Sequence, residues 1–283
     1  MTKKIIFFTS SRVKLTHARY LCRDYDVDVV SFHEKYYMAN YIEPRLDDRE
    51  EILESSFESA LSQAKKAGVY DKYPLLIEDT SVVINSLSES KEYPGVDVKY
   101  WMKETSFEDL DFQLLFSGRN DRSVYVRSDL LLHVPGAGPR FERFIGTVAG
   151  TVIDKEIDIV SNSFYPWLDS QSFNKWFVPE GEVNPLSKLP IEVANVHDFR
   201  RKPFEDMLAN LYSRGWIRRK SRGISKNIDA LSGRRIVIIN GLTCSGKTTA
   251  AQYMSEEFGY LHVEASDFMY VIYYERFGFN SDV

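Results

Sequence analysis

Short apolar runs alternate with amphipathic stretches along the chain. KKIIFF (residues 3–8) ends at small polar residues and predicts a buried strand. A helix is expected from Lys14 to Arg23, a strand over 27–32 (VDVVSF), and a long helix from about Asp47 to Ala67 that stops at Gly68. Pro74 opens the strand LLIEDTSVVI, a helix is predicted near 106–117, and strands follow over 123–134 and 141–153. Loops rich in aromatics, Pro and Asn fill 160–195. A helix over about 203–213 (PFEDMLANLYS) closes a first domain of residues 1–213.

Beyond it the character changes. Arg214, Arg218, Arg219, Lys220, Arg222, Lys226, Arg234 and Arg235 stand against a single acid, Asp229. Residues 214–233 therefore read as a solvated basic linker, with a phosphate- or nucleic-acid-binding arm as the alternative. A new α/β unit occupies 234–283.

A length of 283 residues fits two domains, and 43% apolar with 14% aromatic residues excludes a disordered chain. The net charge of −5 argues against nucleic acid as a partner. The longest early apolar run, Ile5-Ile6-Phe7-Phe8, is too short for a signal-peptide core or a membrane span. Two cysteines, Cys22 and Cys244, build no disulfide framework, so a reducing cytoplasm is the expected compartment.

The string GLTCSGKT, Gly241 to Thr248, fits the phosphate-loop pattern G-x-x-x-x-G-K-[ST]. Ile236-Val237-Ile238-Ile239 supplies the strand before it and Thr249 to Phe258 the helix after it. Gly241 and Gly246 let backbone N–H groups wrap phosphate oxygens, Lys247 is placed to reach the β- and γ-phosphates, and Thr248 to bind Mg²⁺. Ser245 and Thr249 complete this candidate phosphate site for ATP. YLHVEASDFMY resembles the second strand of small nucleotide kinases, with Asp267 facing the phosphate acceptor. The resemblance implies the start of a kinase domain, interrupted at Val283 before its second carboxylate and lid arginines.

A second constellation lies in the first hundred residues. Lys14 follows the first strand, where a loop over a helix N-terminus can hold phosphate. Glu43-Pro44 precedes a helix bearing Asp47, Asp48, Glu50, Glu51, Glu54 and Glu58. Most of these acids form a solvated face, whereas Glu58, between Phe57 and Ala60, is expected to face inward. Glu78-Asp79-Thr80 interrupts an apolar strand, where adjacent carboxylates are costly unless paired or metal-bound. Strand alternation puts Glu78 and Asp79 on opposite faces. Hard oxygen ligands on separate elements, Glu43 and Asp79, suit Mg²⁺ carrying a phosphate substrate.

The order of these motifs decides the reading. TSSRVK, IEP, SFESALSQAKKAG and LLIEDTSVVINSLSESKEYPGVDVKYWM, then RFIGTVAGTV, KWFVPEG and DFRRKPFEDML, resemble the inosine triphosphate pyrophosphatase (Ham1-like) family over residues 3–213. The resemblance implies an elongated mixed α/β sheet with two lobes around a nucleotide cleft, and a homodimer. It also implies Mg²⁺-dependent cleavage of nucleoside triphosphates to monophosphate and pyrophosphate, usually of 6-keto purine nucleotides such as ITP, dITP and XTP. On matching positions, Thr9, Ser10, Ser11 and Lys14 bind phosphate, and Glu43 and Asp79 hold Mg²⁺. Glu78 or Asp79 orients the attacking water, and Thr80 donates to phosphate.

The departures concern the other end of the substrate. The family's T-G-N is Thr9-Ser10-Ser11 here, and a later glutamate is His17. F-G-[YWF]-D-P aligns with Gln171 to Lys175, so Phe173 keeps the stacking role and Asn174 replaces the aspartate. S-H-R aligns with Asp198-Phe199-Arg200, keeping Arg200, with His197 next to it as a substitute or a structural loop histidine. A pyrophosphatase with altered base preference is the expectation; the alternatives are a P-loop kinase regulated by its first domain and a nucleotide-sensing module.

Overall fold

The computed structural model describes residues 3–36, 48–119, 121–137, 140–160, 162, 164–220, 239 and 245–258. Glu43, Asp47, Gly241, Cys244 and Asp267 lie outside the described residues. The chain divides into two compact units, Met1–Lys220 and Ser221–Val283.

In the first unit, β1 (Lys3–Phe7) leads into α1 (Arg12–Leu21), β2 (Val27–Ser31) and the single turn α2 (Phe32–Lys35). The long helix α3 (Arg49–Lys66) precedes β3 (Leu75–Ile84) and the two-residue β4 (Pro94–Gly95). Two helices follow, α4 (Val98–Glu104) and α5 (Phe107–Phe116), then the long strands β5 (Ser123–His133) and β6 (Glu142–Val152). β7 (Phe177–Pro179), α6 (Ile191–Ala194) and α7 (Arg201–Ser213) complete it. In this unit the predicted strands and long helices are found within a few residues of their expected limits; the strand expected at Ile236-Val237-Ile238 lies outside the described residues. The short α2 and α4 were not expected, since neither is long enough for a helical period to show.

The sheet is mixed, in the order β2-β1-β3-β5-β6-β7 with β4 on β3. β1 pairs parallel with β2 and β3; β3, β5, β6 and β7 run antiparallel. One face carries α1 and α7, which pack Leu15, Ala18, Phe204 and Met207 over Leu76, Leu130 and Leu132. Further along the same face, Val82, Ile84, Val124 and Val126 meet Trp101, Phe107 and Trp176 in a second core. α3 covers the opposite face with Leu53, Phe57 and Ala60 over Ile6, Ile77 and Leu131. Glu58 departs from expectation: it is exposed and pairs with Arg140. The buried stripe Leu53, Phe57, Ala60, Leu61 and Ala64 keeps helical spacing, and residue 58 is turned about 100° away from Phe57.

The second unit is described at Ile239 and over Ser245 to Phe258. There α8 (Lys247–Phe258) begins directly after Gly246, whose φ is +80°.

Candidate active site

The site grows from a gap in the sheet. β1 pairs with β3 only as far as Phe7↔Leu76, and β4 joins β3 at Val82↔Gly95. Between them Glu78 turns its carbonyl toward the side where β1 has ended. Lys14, in the first turn of α1, fills the gap: its Nζ donates to the Glu78 carbonyl oxygen at 2.9 Å. From there the ammonium lies 3.2 Å from Glu78 Oε2 and 3.5 Å from Asp79 Oδ1. Consecutive strand residues point to opposite faces, so only a cation at the strand's edge can reach both carboxylates. α1 is anchored locally: Ser11 caps the helix by accepting the Lys14 N–H at 3.2 Å, and Thr9 Oγ1 accepts the Ser11 N–H at 3.1 Å. Ser10 is exposed beside them.

Glu78 is the locked member of the pair. It is 4% exposed, in a polar seam between the two apolar cores of that face. Its Oε1 accepts from Thr80 Oγ1 at 2.7 Å, Ser128 Oγ at 2.8 Å and Arg200 Nε at 3.0 Å. Arg200 Nη2 also donates to Thr80 Oγ1 at 2.6 Å. Burial pushes the Glu78 carboxyl up; the Arg200 guanidinium, the Lys14 ammonium and the hydroxyl hydrogen bonds outweigh it and hold it at about 2. Because the unfolded chain binds this proton more readily, the stabilisation is complete above about pH 4.5 and is lost as pH falls toward 2. Glu78 should then contribute about 3 kcal/mol to acid destabilisation. The unfolding free energy from urea titrations should fall by about 2.5 kcal/mol less in Glu78→Gln between about pH 5.5 and 2.5.

Arg200 reaches Glu78 because its turn lies against the sheet. Asp198 Oδ1 accepts the Arg200 backbone N–H at 3.0 Å. A Cβ at Gly146 of β6 would stand 2.2 Å from the Phe199 carbonyl oxygen, so only glycine permits this approach.

Asp79 lies on the α3 face and is half-buried. Opposite it in the ladder is buried Asp129, gripped by Arg127 through two bonds of 2.9 Å and by Arg143 Nε at 2.9 Å. Arg143 also clamps Glu50 at 2.6 and 2.9 Å, and Arg49 donates to Ser81 at 3.0 Å and pairs with Glu92. Sequence reasoning missed this cluster, although Arg127 and Asp129 sit on one face of an otherwise apolar strand.

On the Glu78 face, the His17 imidazole lies 2.7 Å from Asp198 Oδ2 and stacks on Trp167 with ring centroids 4.1 Å apart and planes 2° from parallel. Phe173 packs in the aromatic core near Trp101 and Trp176, and the Asn174 amide donates to the Trp167 carbonyl at 2.8 Å. His197 lies 3.0 Å from Glu182.

A model of the Ham1 family matches residues 5–210. The chain belongs to the Ham1 family. Ham1 family members are nucleoside-triphosphate pyrophosphatases. Among solved structures, a HAM1 protein from Coxiella burnetii is 17% identical with a TM-score of 0.55, over 75% of this chain and 99% of that one. The Staphylococcus aureus Ham1 protein is also 17% identical, with a TM-score of 0.51, over 75% of this chain and 100% of that one. These likenesses establish a Ham1-type α/β fold. No protein in the curated set matches the chain.

Of the site residues expected from the Ham1 resemblance, Lys14, Glu78, Asp79, Thr80 and Arg200 are brought together, with Thr9 and Ser11 holding the start of α1. Phe173 packs with Trp101 and Trp176, Asn174 donates to the Trp167 carbonyl, and His197 pairs with Glu182. Trp167 was missed; its only signal is its place among the aromatics before Phe173. Two residues that depart from the Ham1 pattern, His17 and Asp198, turn out to be partners across 181 residues.

Proposed function

We propose that the chain is a nucleoside-triphosphate pyrophosphohydrolase, converting NTP and water to NMP and PPi, with a base preference altered from ITP and XTP. The observation that carries this reading is the Lys14 ammonium between a locked, buried Glu78 and a half-buried Asp79, at the carboxyl end of parallel β1. Open sheets bind ligands at such strand ends.

Lys14 takes the phosphate and offsets the negative charge that grows as the α-phosphorus is attacked. Asp79 orients the water and accepts its proton. Glu78 has Oε1 engaged by three donors, so its work is to keep Lys14 and Arg200 in place. Hard oxygen donors fit Mg²⁺, which is commonly held by one or two carboxylates together with substrate phosphates. Asp79 and Glu43 would hold it, although the described residues alone assemble no group of three metal-ligating side chains. When bound, the ion supplies charge neutralisation at the phosphates. In the second unit, a helix that starts at Lys247 after Gly246 supports a phosphate site for ATP at Ser245, Gly246, Lys247, Thr248 and Thr249.

The test is a product assay on the whole chain with Mg²⁺ and ATP, GTP, ITP, XTP, dITP or dUTP, read by mass spectrometry. Monophosphate with pyrophosphate is expected from at least one of them. Diphosphate with inorganic phosphate, or no turnover across the panel, would overturn the proposal.

A further inference from the structure

We propose that Arg49 and Arg143 form a site that takes up the leaving pyrophosphate, and that Glu50 and Glu92 guard it by occupying the two guanidinium groups until it arrives. The inference deepens the pyrophosphohydrolase reading and rests on cleavage at the α-phosphorus.

Arg49, Arg127 and Arg143 meet around Asp129 on the α3 face of the sheet. Asp129 is 2% exposed, and its carboxylate accepts two bonds from Arg127 and one from Arg143 Nε. One buried negative charge therefore stands against three positive ones. The other two are met at the rim. Glu50, with a side chain 68% exposed, accepts from both terminal nitrogens of Arg143. Glu92, 35% exposed, pairs with Arg49. Arg49 is the less satisfied of the two arginines: its Nε is buried without a hydrogen-bond partner among the described residues, 3.9 Å from Asp129 Oδ2. Ion pairs with an exposed partner hold weakly, because water competes for the charges. A carboxylate lying across both terminal nitrogens of an arginine also takes the pose that a phosphate takes, and a phosphate brings more charge to it.

Position argues the same way. Asp79 and Asp129 are direct partners in the β3–β5 ladder, so the arginines begin one rung from Asp79, which has Lys14 at 3.5 Å. Arg49 donates to Ser81 at 3.0 Å, two residues beyond Asp79 and on the same face. In the proposed reaction the water oxygen bonds to the α-phosphorus, Asp79 accepts the water proton, and the bond to the bridging oxygen breaks. Pyrophosphate departs with that electron pair and its negative charge, and Arg49 and Arg143 lie on the same face to receive it. Room for the exchange lies next along the face. An open cavity of about 390 Å³ is lined by Val83, Tyr125 and Glu92, so a displaced Glu92 carboxylate stays in solvent.

The experiment measures binding of inorganic pyrophosphate by calorimetry with EDTA present, so that no metal bridges the ligand. Every chain carries Lys247→Met, which takes the phosphate loop of the second unit out of the comparison. Glu50→Gln with Glu92→Gln should bind pyrophosphate about three- to tenfold more tightly than the parent, because the arginines are no longer occupied. Arg143→Met should bind it at least about tenfold more weakly. Arg143→Lys keeps the charge without the planar fork and should fall between the parent and Arg143→Met. The glutamate variants sit at the exposed rim and keep every arginine, so they decide the matter even where Arg143→Met does not fold. A change of less than about twofold in the glutamate variant overturns the site. So does full affinity in Arg143→Met, or no binding of pyrophosphate by any of these chains. The expected shifts without triphosphate turnover uphold an arginine site for pyrophosphate and refute hydrolysis. Turnover with unshifted affinities does the reverse.

Discussion

Arg200→Met should lower the stability of the chain by about 4 kcal/mol at pH 7, read from the urea midpoint. The substitution keeps an unbranched side chain over Phe199 but leaves the buried Glu78 carboxylate with Lys14 as its remaining cation. Breaking a buried pair from one side costs about 3–5 kcal/mol, because the surviving charge stays desolvated. The remedy is specific: adding Glu78→Gln to Arg200→Met should recover most of the loss, since an amide can still meet Thr80 and Ser128. Catalysis should not return with stability, because Lys14 then has no locked carboxylate to hold it at the strand edge. A loss below 1 kcal/mol for Arg200→Met would mean that the guanidinium is not what keeps Glu78 ionised.

Asp79→Asn should reduce kcat on the order of 10³-fold with an unchanged thermal midpoint, as expected when a positioned proton acceptor is removed. The side chain keeps its size and half-buried position, and only its charge and basicity go. Because Glu78 lies on the other face, it has no route to take over. Activity reduced less than tenfold, in the same product assay, would move the water-orienting role away from this residue.

Much of the frame was legible because strands and helices leave periods in sequence. The runs IIF, LLIEDTSVVI and SVYVRSDLLLH are strands because their inward positions are apolar, and the two acids of β3 stood out against that background. Opposite faces for Glu78 and Asp79 followed from alternation alone. What could not be read was which of the two would be locked. That depends on Thr80, Ser128 and Arg200 meeting at one carboxylate, and Arg200 is 122 residues away. His17 and Asp198 were each visible as a departure, yet their contact is a property of α1 packing beside the turn before α7. Phe173 carries a related ambiguity: an aromatic ring suits a stacking site and a core equally, and here the ring is buried beside Trp101 and Trp176.

The adjacency of Glu78 and Asp79 ties the proposed catalysis to strand register. If β3 slipped by one residue against β5, every side chain would change face. Asp79, the carboxylate proposed to orient water, would then enter the seam with Arg200, while Glu78 turned toward the arginines around Asp129. Such a molecule would still hold a sheet and two acids, but neither would be where its work is. On the proposed mechanism, both acids are in place only when β3 and β5 pair in the observed register.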